Sequence, residues 1–220
     1  MSDVATAVSD VRERIAAAAR RAGRDPESVR LVAATKTVPV ELLSEAVTLG
    51  VIDVGENRAQ ELLAKADALD AEDRTIAAAV CWHFLGRLQR NKVRGLARRV
   101  TWWQSVDREA LGVAIGRHAP GARVLVEVNL ADEPQKGGCP PGDAGRLADA
   151  LRGSGLSVEG LMTIPPASDD PRRWFAALRE LGDGLGLAQL SMGMTDDYEI
   201  AVEEGATMVR VGRAIFGPRR

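Results

Sequence analysis

The segment Arg30-Leu31-Val32-Ala33-Ala34-Thr35-Lys36, followed by Pro39 to Leu49 and then Gly50, decides the fold. Its first part is an apolar run of strand length. Its second part has helical length and ends at a glycine, where a left-handed cap stops a helix. Outward from this unit the same order recurs. Val51 to Val54 precedes a helix carrying Leu62, Leu63, Ala66 and Leu69, and a strand near Val80 to Leu85 precedes a short helix around Gln89 to Arg98. Val100 to Val106 is followed by Asp107 as the cap of a helix with Leu111, Ala114 and Ile115 inward. Arg123 to Asn129 leads through the polar loop Leu130 to Pro141 into a helix with Leu147 and Leu151. Val158 to Thr163 precedes Asp170-Pro171, a cap-then-proline start for a helix bearing Trp174, Leu178 and Leu181. Leu187 to Ser191, a helix from Asp196 to Glu204 closed by Gly205, and Met208 to Gly212 complete the series. Ahead of it, Val4, Val8, Val11 and Ile15 form a helical stripe that Gly23 ends, so residues 1–23 form an additional N-terminal helix.

Eight strand-then-helix units without a linker predict an α/β fold, a single-domain (β/α)8 TIM barrel over residues 1–220. A doubly wound open sheet has the same periodicity, but no GxGxxG follows the first strand, which weakens its dinucleotide-binding form. The 29 basic and 31 acidic residues give a net charge of −2, which argues against nucleic-acid and anionic-membrane partners. Two cysteines, Cys81 and Cys139, and two histidines are too few for a disulfide scaffold or a zinc cluster, so no metal site is expected. No stretch has the length of a membrane span and Met1 to Ala19 does not read as a signal peptide, so a cytoplasmic protein is expected.

In such a barrel, chemistry sits at the C-terminal ends of the strands, here Lys36, Asn57, His83, Asn129, Thr163, Ser191 and Arg210. Of the 29 basic residues 25 are arginine, which makes a lysine at a strand end notable. An amine can lose its proton and form an imine, whereas guanidinium cannot. Lys36 reads either as a Schiff-base lysine or as a side chain snorkelling into solvent. Ser191-Met192-Gly193-Met194-Thr195, with Gly212-Arg213-Ala214, offers hydroxyls and backbone N–H groups after strands seven and eight, where barrels hold phosphate. The plainer reading is a glycine turn with a helix cap. Arg210 suits a salt bridge or contact with a ligand's ring nitrogen or phosphate. Asn57 suits a polar ligand contact or a helix start, and His83 suits stacking on a planar ligand or a satisfied core position. Lys136 in the Gln135 to Gly138 loop reads as closing over an anion or as solvated.

A lysine on the first strand opposite a phosphate cup is joined by ordered motifs along nearly the whole chain. They are Ala33-Ala34-Thr35-Lys36, Gly55-Glu56-Asn57 with Gln60-Glu61, and Trp82-His83-Phe84-Leu85-Gly86 with Leu88-Gln89 and Asn91-Lys92. They continue through Val126-Glu127-Val128-Asn129, Gly160-Leu161-Met162-Thr163, Leu190-Ser191-Met192-Gly193-Met194 and Val209-Arg210-Val211-Gly212 to Ile215-Phe216-Gly217. With these motifs the chain resembles the pyridoxal phosphate homeostasis protein family. The resemblance implies a barrel similar to the alanine racemase N-terminal domain, with pyridoxal 5'-phosphate held as a Schiff base on Lys36. It implies a phosphate site near Ser191, Gly193, Thr195, Gly212 and Arg213, with Asn57, His83 and Arg210 as further cofactor contacts and no catalytic residue. It also implies a monomer that stores and buffers the vitamin B6 cofactor and hands it to apo-enzymes. Thr195 stands where relatives more often carry serine, Arg213 where a small hydroxyl residue is common, Val38 where lysine is frequent and Arg58 where tyrosine is frequent.

The alternative from another class is an amino-acid racemase of the same barrel type, which needs two bases on opposite faces of the cofactor. The resemblance places the second base of such enzymes on a tyrosine of an added domain, whereas the only tyrosine here is Tyr198. A cofactor-free Schiff-base aldolase, with its substrate in the phosphate cup, is a third reading.

Overall fold

Short, mostly apolar segments buried on both faces form eight strands: β1 (Arg30–Ala34), β2 (Asp53–Glu56), β3 (Cys81–Phe84), β4 (Val100–Val106), β5 (Arg123–Glu127), β6 (Ser157–Met162), β7 (Gln189–Met194) and β8 (Met208–Val211). In the computed structural model, which describes residues 3–166 and 170–218, all eight strands pair in parallel in chain order. β8 returns to β1 with Val32 opposite Arg210, which closes the barrel. Closure, which periodicity alone leaves open, excludes the doubly wound sheet. The helices are α1 (Asp3–Arg21), α2 (Val40–Thr48), α3 (Ala59–Glu72), α4 (Arg74–Ala79), α5 (Val93–Leu96), α6 (Glu109–His118), α7 (Ala144–Gly153), α8 (Pro171–Leu185), α9 (Tyr198–Glu203) and α10 (Arg213–Phe216). Met1, Ser2, Arg219 and Arg220, included in the expected domain, lie outside the described residues.

The predicted stripe of α1 is buried through Val4, Val8, Val11 and Ile15. Arg14 pairs with Glu199 at 2.5 Å and Arg21 with Glu203 at 2.8 Å, which fastens α1 to α9 on the outside of the barrel. The main core lies between strands and helices, and a second cluster, Val32, Trp102, Leu125, Met162 and Met208, fills the barrel itself. Two residues further along their strands, and therefore on the same inward face but nearer the mouth, stand Gln104, Glu127 and Arg210. Two residues earlier, at the base, stand Arg30 and Arg123.

Several boundaries differ from expectation. β2 begins at Asp53 rather than Val51, because its buried charges are compensated and so need no apolar run. Arg30 meets Asp53 at 3.0 Å, and Lys65 with Thr35 meets Glu56. Asp107 does not cap α6; Arg108 is the N-cap position, and Asp107 is drawn into an ion pair with it. In α8 the core is met by Phe175 and, as expected, by Leu178, while Trp174 and Leu181 are half-buried. Helix α4 had no apolar signal of its own and is started by Asp73, which accepts from the N–H groups of Thr75 and Ile76.

Candidate functional site

At the end of β1 the backbone is clamped before it reaches Lys36. Thr35 N–H donates to the Gly55 carbonyl at 3.0 Å, its hydroxyl donates to Glu56 Oε1 at 2.7 Å, and Lys65 Nζ donates to both the Thr35 carbonyl and Glu56. Directly beyond Lys36, Thr37 takes φ = 62°, a left-handed conformation that costs a non-glycine residue about 1–2 kcal/mol. Strain of this kind concentrates at functional positions. Between clamp and bend, the half-buried Lys36 amine has no hydrogen-bond or ion-pair partner among the described residues.

The neighbouring strand ends converge on this lysine. A Cβ on Gly212 would lie 2.8 Å from the Ala34 carbonyl oxygen, so only glycine lets the end of β8 approach β1 so closely. Gly212 N–H donates to Thr195 Oγ1 at 3.4 Å, a long bond that a stronger acceptor can replace. Gly193 has φ = 89°, and a Cβ there would meet Ala201 of α9 at 2.5 Å. Asn57, just past β2, has a buried Oδ1 with no hydrogen-bond partner among the described residues. The exposed Arg213 side chain pairs with Asp196, which leaves its backbone N–H at the start of α10. Lys36, Asn57, Thr195, Gly212 and Arg213 thus share one sector of the mouth, spanned by the consecutive strands β7, β8, β1 and β2.

Ser191, His83 and Arg210 lie one layer deeper, joined in a single hydrogen-bonded chain. Arg210 donates to Ser191 Oγ at 2.7 Å and to the Thr163 carbonyl at 2.9 Å. Ser191 donates to Gln104 Oε1 at 2.6 Å. The Gln104 amide nitrogen meets His83 Nδ1 at 2.6 Å, and His83 Nε2 meets Asp53 Oδ1 at 2.8 Å. With an amide donor on Nδ1, the ring proton sits on Nε2 and is given to Asp53. Burial pushes the His83 pKa down against the pull of Asp53, so the ring is neutral. Burial pushes the Asp53 carboxyl up, but His83 and Arg30 outweigh it and hold the group below its ordinary value. Every member of this chain has a partner, which is the condition for a buried polar network to rigidify its surroundings. His83 also stacks parallel on Trp102 at 6.0 Å, inside the barrel and away from the mouth.

Sequence reasoning missed Gln104 as the centre of this chain, and it missed the chemistry of Glu127. Burial, with Asp107 nearby, pushes the Glu127 carboxyl up to about 7, although Arg210 and Arg87 act against this. Arg210 is itself lowered to about 10 by burial, opposed by Glu127 and Asp197, and stays charged at neutral pH. The usable signal was a polar residue on the inward phase of an otherwise apolar strand: Trp102 then Gln104, Leu125 then Glu127. Asn129 and Lys136 do not reach the sector. Asn129 brackets its own loop through Glu133, and Lys136 pairs with Glu133 at 2.5 Å and donates to the Pro165 carbonyl at 3.0 Å. The Thr163 hydroxyl donates to the Val128 carbonyl at 2.9 Å and ties β6 to the segment after β5.

Residues 7–220 match the family model for the alanine racemase N-terminal domain. The pyridoxal phosphate homeostasis protein of Aquifex aeolicus is 43% identical over 227 residues, which is 97% of each chain. Among solved structures, a protein of unknown function from Bifidobacterium adolescentis superposes with a TM-score of 0.89 at 40% identity, over 97% of this chain and 94% of that one. PipY of Synechococcus elongatus PCC7942, solved with PLP bound, superposes with a TM-score of 0.78 at 33% identity, over 94% of this chain and 100% of that one. No helix among the described residues is long and apolar enough to cross a membrane. The chain belongs to the alanine racemase N-terminal domain family, as a member of its pyridoxal phosphate homeostasis protein group.

Proposed function

We propose that the protein binds pyridoxal 5'-phosphate at the mouth sector and serves intracellular homeostasis of that cofactor, storing it and passing it to apo-enzymes. The observation that carries this reading is the unengaged Lys36 amine beside Gly212 and Thr195, in a chain whose relative PipY is solved with PLP bound. The residues fit the group. A planar pyridine bearing a hydroxyl and a formyl group can satisfy the orphaned Asn57 Oδ1, and a phosphate suits the N–H groups that the glycines leave accessible. When bound, the cofactor supplies an aldehyde that an amine captures as a Schiff base.

Lys36 is that amine. Thr195 offers its hydroxyl, and Gly193, Gly212 and Arg213 offer backbone N–H groups to the phosphate. Arg210 contributes a fixed positive charge beneath the sector. Ser191 accepts directly from Arg210, and His83 supports Ser191 through Gln104, so in this reading both fully buried residues position Arg210 rather than contact the cofactor. Borohydride treatment of the loaded protein should fix a pyridoxyl group on Lys36, read by peptide mapping; label on another residue defeats the assignment. In Lys36→Ala the visible absorption should vanish while weak binding through the phosphate persists. Thr195→Val should weaken binding about tenfold, since one hydrogen bond to a charged group contributes about 1.5–3 kcal/mol. An unchanged affinity on titration removes Thr195 from the site.

The protein is a carrier rather than an enzyme. Tyr198, the first residue of α9, has its ring buried beneath Arg14 of α1 at 5.5 Å, which argues against it as a racemase's second base. Turnover of amino acids at ~1–1000 per second in racemase, transaminase or decarboxylase assays would overturn this. The carrier acts as a cytoplasmic monomer. Its two cysteines, unpaired in the structure, are consistent with a reducing compartment, and sedimentation of the loaded protein tests its oligomeric state.

A further inference from the structure

At the opposite end of the barrel from Lys36, three potential metal ligands face one another. Cys81 and His83 alternate onto the inward face of β3, and Asp53 of β2 stands directly opposite Cys81 in the strand register. Cys81 Sγ lies 3.7 Å from His83 Nε2, and His83 Nε2 lies 2.8 Å from Asp53 Oδ1. One ligand atom from each residue falls within 4.8 Å of the other two. A tetrahedral zinc with Zn–S near 2.3 Å and Zn–N and Zn–O near 2.1 Å spaces such ligands about 3.3–3.6 Å apart. The Cys81–His83 spacing already lies near this range, and the His83–Asp53 spacing must open by about 0.6 Å to reach it.

We propose that Asp53, Cys81 and His83 form a binding site for a borderline-soft divalent transition metal, Zn²⁺ or Co²⁺, at the base of the barrel. Thiolate, imidazole and carboxylate together select this class over Mg²⁺ or Ca²⁺, which prefer all-oxygen ligands. Three protein ligands leave one position for water. A cavity of about 1010 Å³, lined by Arg30, Gln189, Thr207 and residues of α1, reaches the site at Asp53.

The surroundings support the ligands. Arg30 reaches both Asp53 oxygens, at 3.0 and 3.2 Å, and keeps Oδ2 when Oδ1 turns to the metal. His83 Nδ1 meets the Gln104 amide, which turned over presents its oxygen to an Nδ1 proton and its nitrogen to Ser191 Oγ, so that Ser191 accepts from Gln104 where it now donates and the ring stays oriented, as by partners of metal-bound histidine. The protons balance. Cys81 gives its S–H proton to solvent, the His83 proton is relocated from Nε2 to Nδ1, and one proton is released for each metal bound.

The test uses full-length, tag-free protein stripped with a chelator and titrated with Co²⁺, with and without bound cofactor. Expected are saturable one-to-one binding, a thiolate-to-cobalt charge-transfer band, and displacement of Co²⁺ by Zn²⁺. Cys81→Ser should abolish the band and Cys139→Ser should retain it, while Asp53→Asn should weaken binding at least tenfold. Borohydride labelling of Lys36 in Cys81→Ser shows that this variant is folded and keeps the outcome separate from the fate of the mouth site. Unsaturable binding, or a band that survives in Cys81→Ser, overturns the proposal.

Discussion

Glu127 sits 8% exposed on the inward face of β5, and a Cβ at Gly137 would lie 3.1 Å from its Oε2, so the loop after β5 closes over it. Its carboxyl is raised from 4.5 to about 7 in the fold. A raised acid stabilises the fold below its unfolded pKa and loses that contribution as pH climbs through the folded one. Glu127→Gln should therefore raise the stability of the cofactor-free protein at pH 8, on the order of 2 kcal/mol given ~1.4 kcal/mol per pKa unit and some screening. Near pH 4.5 the two proteins should unfold alike, as measured by denaturant titration at both values. A less stable variant at pH 8 would mean that the carboxylate is paired. The place of Lys36 just past β1 was legible because a lysine ending an apolar strand is conspicuous in an arginine-rich chain. Gln104 was not, since its role depends on Ser191 and His83, 87 and 21 residues away in sequence. For Ser191 and His83 the sequence shows that they lie on strands whose ends meet the mouth, but not that both are fully buried in one hydrogen-bonded chain.

At the scale of elements, local signals worked where the energy itself is local. Asp170 accepts from Arg172 N–H at 3.0 Å with Pro171 behind it, and Gly186 at φ = 64° ends the same helix, as cap and stop chemistry dictate. Asp170→Ala should cost about 1 kcal/mol and lower the melting temperature by about 2–4 °C, measured by calorimetry. No change would show that α8 is held by its packed face alone. Signals failed where charge is buried in pairs. β2 carries Asp53 and Glu56 in four fully or nearly buried residues, and its reading as Val51 to Val54 followed hydrophobicity alone. Asp107 resembled a cap in sequence but is captured by Arg108 and lies outside the helix start.

For the whole molecule, the count of eight units was legible and ring closure was not, because β1 and β8 pair across 178 residues and no local pattern encodes that contact. The same long-range pairing builds the mouth: Gly212 presses on Ala34, and Arg210 stands opposite Val32. A chain ending at Thr207 lacks β8 and should neither melt cooperatively nor take borohydride label at Lys36. Cooperative melting of that fragment would show that seven strands suffice. A ribosome emits β1 before β8, so the emerging polypeptide exposes two unmatched sheet margins until β8 itself appears. Vitamin capture consequently follows translation and cannot guide it, and a prematurely terminated product would sequester none of the coenzyme pool.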